Sequence, residues 1–116
     1  MNGKEAWRIG RLGERKTREL LKNKGFVIIG SDVDAAGVDI LAFKKGKIYI
    51  IEVKTTKKID KSWKQSITKK QFLKYKKLQR LLTKQKFDVL FILYLWKKVN
   101  NKWIFEVYDL TEEDWR

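Results

Sequence analysis

The chain contains no cysteine, no histidine and no proline in its 116 residues. Without thiols or imidazoles, it has no disulfides, no cysteine nucleophile, no histidine base and no zinc site of the Cys/His type. Any metal must be held by oxygen, which makes Mg²⁺ or Mn²⁺ the natural ion. Acidic residues are also scarce: 14 Asp and Glu stand against 28 Lys and Arg, a formal charge of +14. The basic excess is spread along the whole chain. A polyanionic partner follows, nucleic acid first and an anionic membrane second, with a merely well-solvated surface as the plainer alternative. The longest apolar run, VLFILYLW at 89–96, is too short to span a bilayer, and the opening MNGKEAWR does not read as a signal peptide. The expectation is an intracellular, soluble, cytoplasmic protein with no membrane partner. A membrane-surface or ribosome-associated role ranks last, because no continuous basic helix presents an apolar face for it.

What is present reads as one α/β domain over residues 1–116, in the order α-β-β-β-α-β-β. Residues 4–24 are rich in helix formers and end at NKGF, with Gly25 placed as a C-terminal cap. FVIIG at 26–30 is a short β-branched run, expected as a buried first strand. SDVDAAG is a loop, and VDILAF and IYIIEVK flank the hairpin turn KKGK. TTKKIDKSWKQS is polar and is expected to be a mobile loop. ITKKQFLKYKKLQRLLTKQ reads as a second helix with an apolar stripe of Phe72, Tyr75, Leu78 and Leu82. DVLFILYLW, the turn VNNK and WIFEVYDL complete the sheet. Because DVLFILYLW does not alternate, it should be covered on both faces, inside the sheet or partly by a second copy. A domain of this size leaves enough surface exposed for oligomerisation to be expected.

The hairpin carries the chemistry. A two-residue KG loop pairs Lys44 with Lys47 and so places Asp39 opposite Glu52, while strand alternation turns Lys54 to the same face. Opposed carboxylates, about 4.5–5.5 Å apart at Cβ, repel each other in a bare sheet. A divalent cation between them removes that cost, with the Val53 backbone carbonyl as a third oxygen and open positions left for a substrate phosphate. Lys54 would then steady an attacking hydroxide or the charge of a pentavalent phosphorane. The alternative is that Asp39 and Glu52 form ordinary ion pairs with Lys54 and a neighbouring lysine.

Glu14 shares a helical face with Gly10, Thr17 and Leu21, and glycines at 10 and 13 would let this helix approach the sheet closely. Glu14 would then reach the metal patch, directly or through water, unless it pairs with Arg11 or Arg18. Ser31, Asp32 and Asp34 precede Asp39 in a loop where plain turn chemistry accounts for them. Arg8, Arg11, Arg15, Lys16 and Arg18 surround Glu14, and Lys57, Lys58, Lys61 and Lys64 follow the hairpin with Trp63 among them. Together they flank the acidic patch and would contact phosphates regardless of sequence.

With GE on the first helix, then GVD, twelve residues and EVK, the chain resembles the PD-(D/E)XK nuclease superfamily. Within it, the sequence is similar to the archaeal-type Holliday junction resolvases. The matching features are the Glu14–Arg15 pair, ELLKNKGF, Ser31, Asp39, IEVK at 51–54, and Gln71 followed by Tyr75. The proline that usually precedes the Asp is Val38 here, and SDVDAAG is shorter and more acidic than the corresponding loop. A bacterial family of uncharacterised, resolvase-like proteins shares the GE helix and a similar strand motif.

The resemblance implies a restriction-endonuclease-like core with a mixed five-stranded sheet and helices packed on it. It implies Glu14, Asp39, Glu52 and Lys54 as the catalytic set, Arg15 and Ser31 as auxiliary DNA contacts, and Tyr75 near a dimer interface. The function it implies is a homodimeric, Mg²⁺-dependent endodeoxyribonuclease that resolves four-way DNA junctions in recombination and repair and leaves 5′-phosphate ends. The rivals are a nuclease of the same fold acting on other DNA structures and a basic DNA-binding protein that does not cut.

Overall fold

A computed structural model describes residues 3–29 and 39–115. Its elements are α1 (Gly3–Asn23), β1 (Val27–Ile29), β2 (Ile40–Lys44), β3 (Lys47–Thr56), α2 (Trp63–Ser66), α3 (Lys69–Lys84), β4 (Asp88–Val99) and β5 (Lys102–Asp109). The five strands form one sheet in the order β1-β2-β3-β4-β5. All neighbours are antiparallel except β3 and β4, whose parallel pairing requires the crossover made by α2 and α3. This is the mixed five-stranded, restriction-endonuclease-like arrangement expected from the sequence.

Local chemistry sets the element ends. α1 stops in a Schellman motif, with Gly25 at φ 87° and the Phe26 N–H returning to the Leu21 carbonyl at 3.0 Å. The β2–β3 loop is Lys45–Gly46 and the β4–β5 loop is Asn100–Asn101, all four at positive φ, as two-residue hairpin turns require. Lys44 pairs with Lys47 and Ile40 with Ile51, so the hairpin has the register read from the sequence.

The sheet is covered on both faces. On one side Ile48, Ile50, Phe91 and Leu93 pack with Phe72 and Tyr75 of α3, with Leu78 and Leu82 extending the stripe. On the other, Ile51, Val53, Ile92, Tyr94 and Trp96 pack with Leu21 of α1. β4 therefore sends alternate residues into two apolar layers, and its missing alternation is explained within the sheet.

α1 is pinned closely to this second face. A Cβ built on Gly13 would lie 2.5 Å from Thr55 Cγ2, so only glycine permits the approach. Thr17 Oγ1 donates to the Gly13 carbonyl at 2.7 Å and accepts from Trp96 Nε1 at 2.8 Å. Gly10 takes no part, since a Cβ there would meet nothing within 4 Å.

Two sequence expectations are corrected. β1 is not a buried strand: it lies at the sheet edge, with Val27 62% and Ile29 52% exposed. TTKKIDKSWKQS is not a loose loop either. Thr55 and Thr56 complete β3, and Ser62 and Gln65 form a reciprocal capping box that starts α2. Trp63 then stacks on Phe72, and the Lys97 ammonium holds the Ile59 carbonyl at 2.9 Å. Among the described residues, no helix is long and apolar enough to cross a membrane.

Candidate active site

The β2–β3 ladder ends at Ile40–Ile51, whereas β3 continues beside β4 as far as Thr56. Beyond Ile51, the edge of β3 has lost its neighbour. The Asp39 carboxylate fills the gap, with its Oδ2 accepting from the Val53 N–H at 2.9 Å. A strand end thereby fixes one acidic side chain through a backbone bond. Glu52 follows on β3 and is only 2% exposed. It lies within hydrogen-bonding reach of Asp39, as the opposed register requires.

Tyr75 of α3, also buried, donates its hydroxyl to Glu52 Oε2, and the Lys54 ammonium stands 3.5 Å from Glu52 Oε1. Burial and the adjoining Asp39 carboxylate push the Glu52 carboxyl up to about 8, against the opposing pull of Tyr75 and Lys54. Burial and the Glu52 charge push Tyr75 upward as well, so its hydroxyl keeps its proton and serves as a donor. One lysine therefore does not neutralise the pair, and among the described residues no cation reaches the Asp39 carboxylate within salt-bridge distance.

Glu14 approaches from α1, the helix on the opposite face. Its carboxylate lies 3.9 Å from the Arg18 guanidinium, which also reaches the Asp39 carbonyl oxygen at 3.5 Å. Arg18 thus links Glu14 to the site. Among the described residues, no three acidic groups gather closely enough to hold an ion by themselves. The residues that would hold an ion are the adjacent Asp39 and Glu52 carboxylates with the Val53 backbone carbonyl beside them. Adjacent carboxylates are the hard oxygen ligands that suit Mg²⁺ or Mn²⁺, and a cation between them would relieve the burial and like-charge contact that raise Glu52.

The remaining expected residues separate. Arg8, Arg11 and Arg15 line an open groove along α1 together with Arg18, Lys57, Lys98 and Trp103. Lys58 and Lys61 border a different, smaller depression, and the Lys64 ammonium sits over the Trp63 and Trp115 rings. Ser31, with Asp32, Asp34 and Val38, lies outside the described residues. Tyr75, expected near a dimer interface, lies in the interior of the fold: it is 2% exposed, and its hydroxyl is engaged by Glu52. Gln71 has a local task, since its side chain accepts from the Thr68 N–H in the box that starts α3.

The sequence reading missed Tyr75 as the donor to Glu52. The available signal was its place on a buried stripe, where a tyrosine hydroxyl needs a partner. It also missed Lys98 and Trp103, which join the α1 groove only through the β4–β5 hairpin.

Residues 13–92 match the uncharacterised protein family UPF0102. A UPF0102 protein of Dictyoglomus thermophilum is 42% identical over 62 residues, which cover 52% of this chain and 50% of that protein. A second, from Dictyoglomus turgidum, is 39% identical over the same length. The chain thus spans about half the length of these curated relatives. With most of its residues matched, the α1 glycine and the Asp39–Glu52–Lys54 hairpin among them, the chain belongs to the UPF0102 family, which is part of the PD-(D/E)XK nuclease-like superfamily.

Proposed function

We propose that this protein is a divalent-metal-dependent, structure-selective DNA endonuclease acting on four-way junctions as a homodimer. The observation that carries the reading is the meeting of Asp39 and Glu52 where β2 ends, with the Lys54 ammonium 3.5 Å from Glu52. Such a cluster is costly to a sheet and useful to phosphodiester hydrolysis. A bound Mg²⁺ or Mn²⁺, held by Asp39, Glu52 and the Val53 carbonyl, would supply Lewis-acid activation of water and charge neutralisation at the phosphate.

The chain's own groups do the rest. The Val53 N–H holds Asp39 in one orientation, and the Tyr75 hydroxyl fixes Glu52. Lys54 places positive charge where the phosphate becomes more negative in the transition state. Arg18, tied to Glu14 and Asp39, anchors the α1 side of the site. The water oxygen bonds to phosphorus, the P–O3′ bond breaks, and a 5′-phosphate and a 3′-hydroxyl result. A two-fold dimer would offer two such sites to a junction of near two-fold symmetry and so give paired incisions.

The test is incubation of a labelled four-way junction with the protein, with excess linear duplex and with Mg²⁺ or a chelator. The Asp39→Ala, Glu52→Ala double variant runs alongside. Symmetric, metal-dependent cuts that the variant does not make are expected. Cutting of flaps or single strands in preference to junctions would move the substrate within the same chemistry. Tight DNA binding without cutting in either metal would overturn the enzyme and favour a DNA-binding protein.

A further inference from the structure

The groove along α1 is a second structural feature of the molecule, and it differs in kind from the acidic site. Its volume is about 690 Å³, and Arg8, Arg11, Arg15, Lys57, Lys98 and Trp103 are among its lining residues. Arg8, Arg11 and Arg15 recur every three or four residues, so a single helix presents them as one row. The β4–β5 hairpin closes the other wall with Lys98, whose ammonium stands 6.0 Å from the centre of the Trp103 ring.

The charge in this groove is largely uncompensated. Among the described lining residues the one acid, Glu5, is taken by Lys57 at 2.6 Å with Lys98 also in its field, and no described carboxylate forms a salt bridge with Arg8, Arg11 or Arg15. Three guanidinium groups in a row without a described salt-bridge partner, with Lys98 in the facing wall, are an arrangement that calls for phosphates. The cavity is on the scale of small-ligand pockets, far short of a whole duplex. A row of cations with an aromatic ring in the wall is the pattern that follows one strand, phosphates on the cations and a base against the ring.

Arg18 gives the groove its direction. It lines the groove and reaches the Asp39 carbonyl at the sheet edge where β2 ends, so a strand that passes Arg18 and rounds that edge comes to the carboxylates on the other face. We propose that this groove holds an unpaired DNA strand, its phosphates on Arg8, Arg11, Arg15 and Lys98 and a base on Trp103, and leads it to the Asp39–Glu52 site. This deepens the endonuclease reading, on which it rests, by requiring that the preferred substrate present a single-stranded segment or an opened branch point next to the cut.

Binding without cleavage tests it. Fluorescence anisotropy with labelled oligo(dT) and with a blunt duplex of equal length, in chelator, is measured for the wild type and for Arg11→Ala, Trp103→Phe and Trp103→Leu. Trp103 is partly buried against the sheet, so thermal melts accompany each variant, and Trp103→Phe preserves both ring and packing. Trp103→Leu should weaken oligo(dT) binding at least about five-fold while Trp103→Phe holds it and duplex binding changes little. Arg11→Ala should reduce the slope of log affinity against log salt by about 0.7 for the single strand. Equal losses on strand and duplex, an unchanged salt slope, or tighter binding of oligo(U) than of oligo(dT) would overturn the assignment. Because chelator is present throughout, failure of cleavage leaves this result intact, and failure here leaves the carboxylate chemistry untouched.

Discussion

Replacing Glu52 with glutamine separates the cost of the acidic cluster from its use. In the folded, metal-free protein the Glu52 carboxyl is raised from 4.5 to about 8, chiefly by burial and then by Asp39. The folded state therefore holds the proton more tightly than the unfolded chain does. Stability from this group is fully present below pH 4.5, declines as pH rises toward 8, and is level above that. At 1.36 kcal/mol per pH unit, the loss across the window is on the order of 5 kcal/mol. That is a large share of the roughly 5–15 kcal/mol by which a domain is stable. Glutamine keeps the shape and the acceptor for Tyr75 but cannot ionise. Urea unfolding in chelator, at pH 4.5 and pH 8.5, measures the gap between wild type and Glu52→Gln. The variant should gain on the wild type by a few kcal/mol between the two pH values, and added Mg²⁺ should restore the wild type alone at pH 8.5. A gap that stays constant with pH would mean that Glu52 ionises freely, and the account of a strained carboxylate pair would fail.

Two further substitutions probe the supports of the site. Gly10→Ala, which meets open space, should stabilise by about 0.5–1 kcal/mol through helix propensity. Gly13→Ala drives a methyl into Thr55 and should end about 1–3 kcal/mol below Gly10→Ala in denaturant titrations. Equal stabilities would refute the close approach of α1. Tyr75→Phe removes the donor from a buried carboxylate, at a cost of about 1–2 kcal/mol at pH 8. Because the Tyr75 bond lowers the Glu52 value, its loss should also move the pH profile of cleavage to the alkaline side; an unmoved profile would remove Tyr75 from the site.

The parts of this fold that were legible in the sequence are those set by local rules. Lys45–Gly46 fixes the hairpin register, Gly25 ends α1, and Phe72, Tyr75, Leu78 and Leu82 mark the buried side of α3. From that register alone, Asp39 and Glu52 had to meet. What escaped depended on distant chain. FVIIG has the composition of a buried strand, but its place at the sheet edge is decided by topology, which a three-residue strand cannot announce. The polar segment after β3 is fastened by Trp63 stacking on Phe72 of the next helix and by Lys97, 38 residues on, holding the Ile59 carbonyl.

The pleat of β3 explains why acidic site and basic groove coexist on so small a chain. Glu52 and Lys54 point to the α3 face while Val53 and Thr55 point to the α1 face. The same four residues thus carry the charged cluster on one side and seat the arginine helix on the other. Val53 does both, its side chain packed among the α1 layer and its N–H holding Asp39. Any shift of α1 outward would tilt the row of Arg8, Arg11 and Arg15 and loosen the Arg18 contact to Asp39 together. Gly13 is the residue on which both depend, so Gly13→Ala should weaken oligo(dT) binding and cleavage in parallel. A variant that lost one and kept the other would show that groove and site are positioned independently.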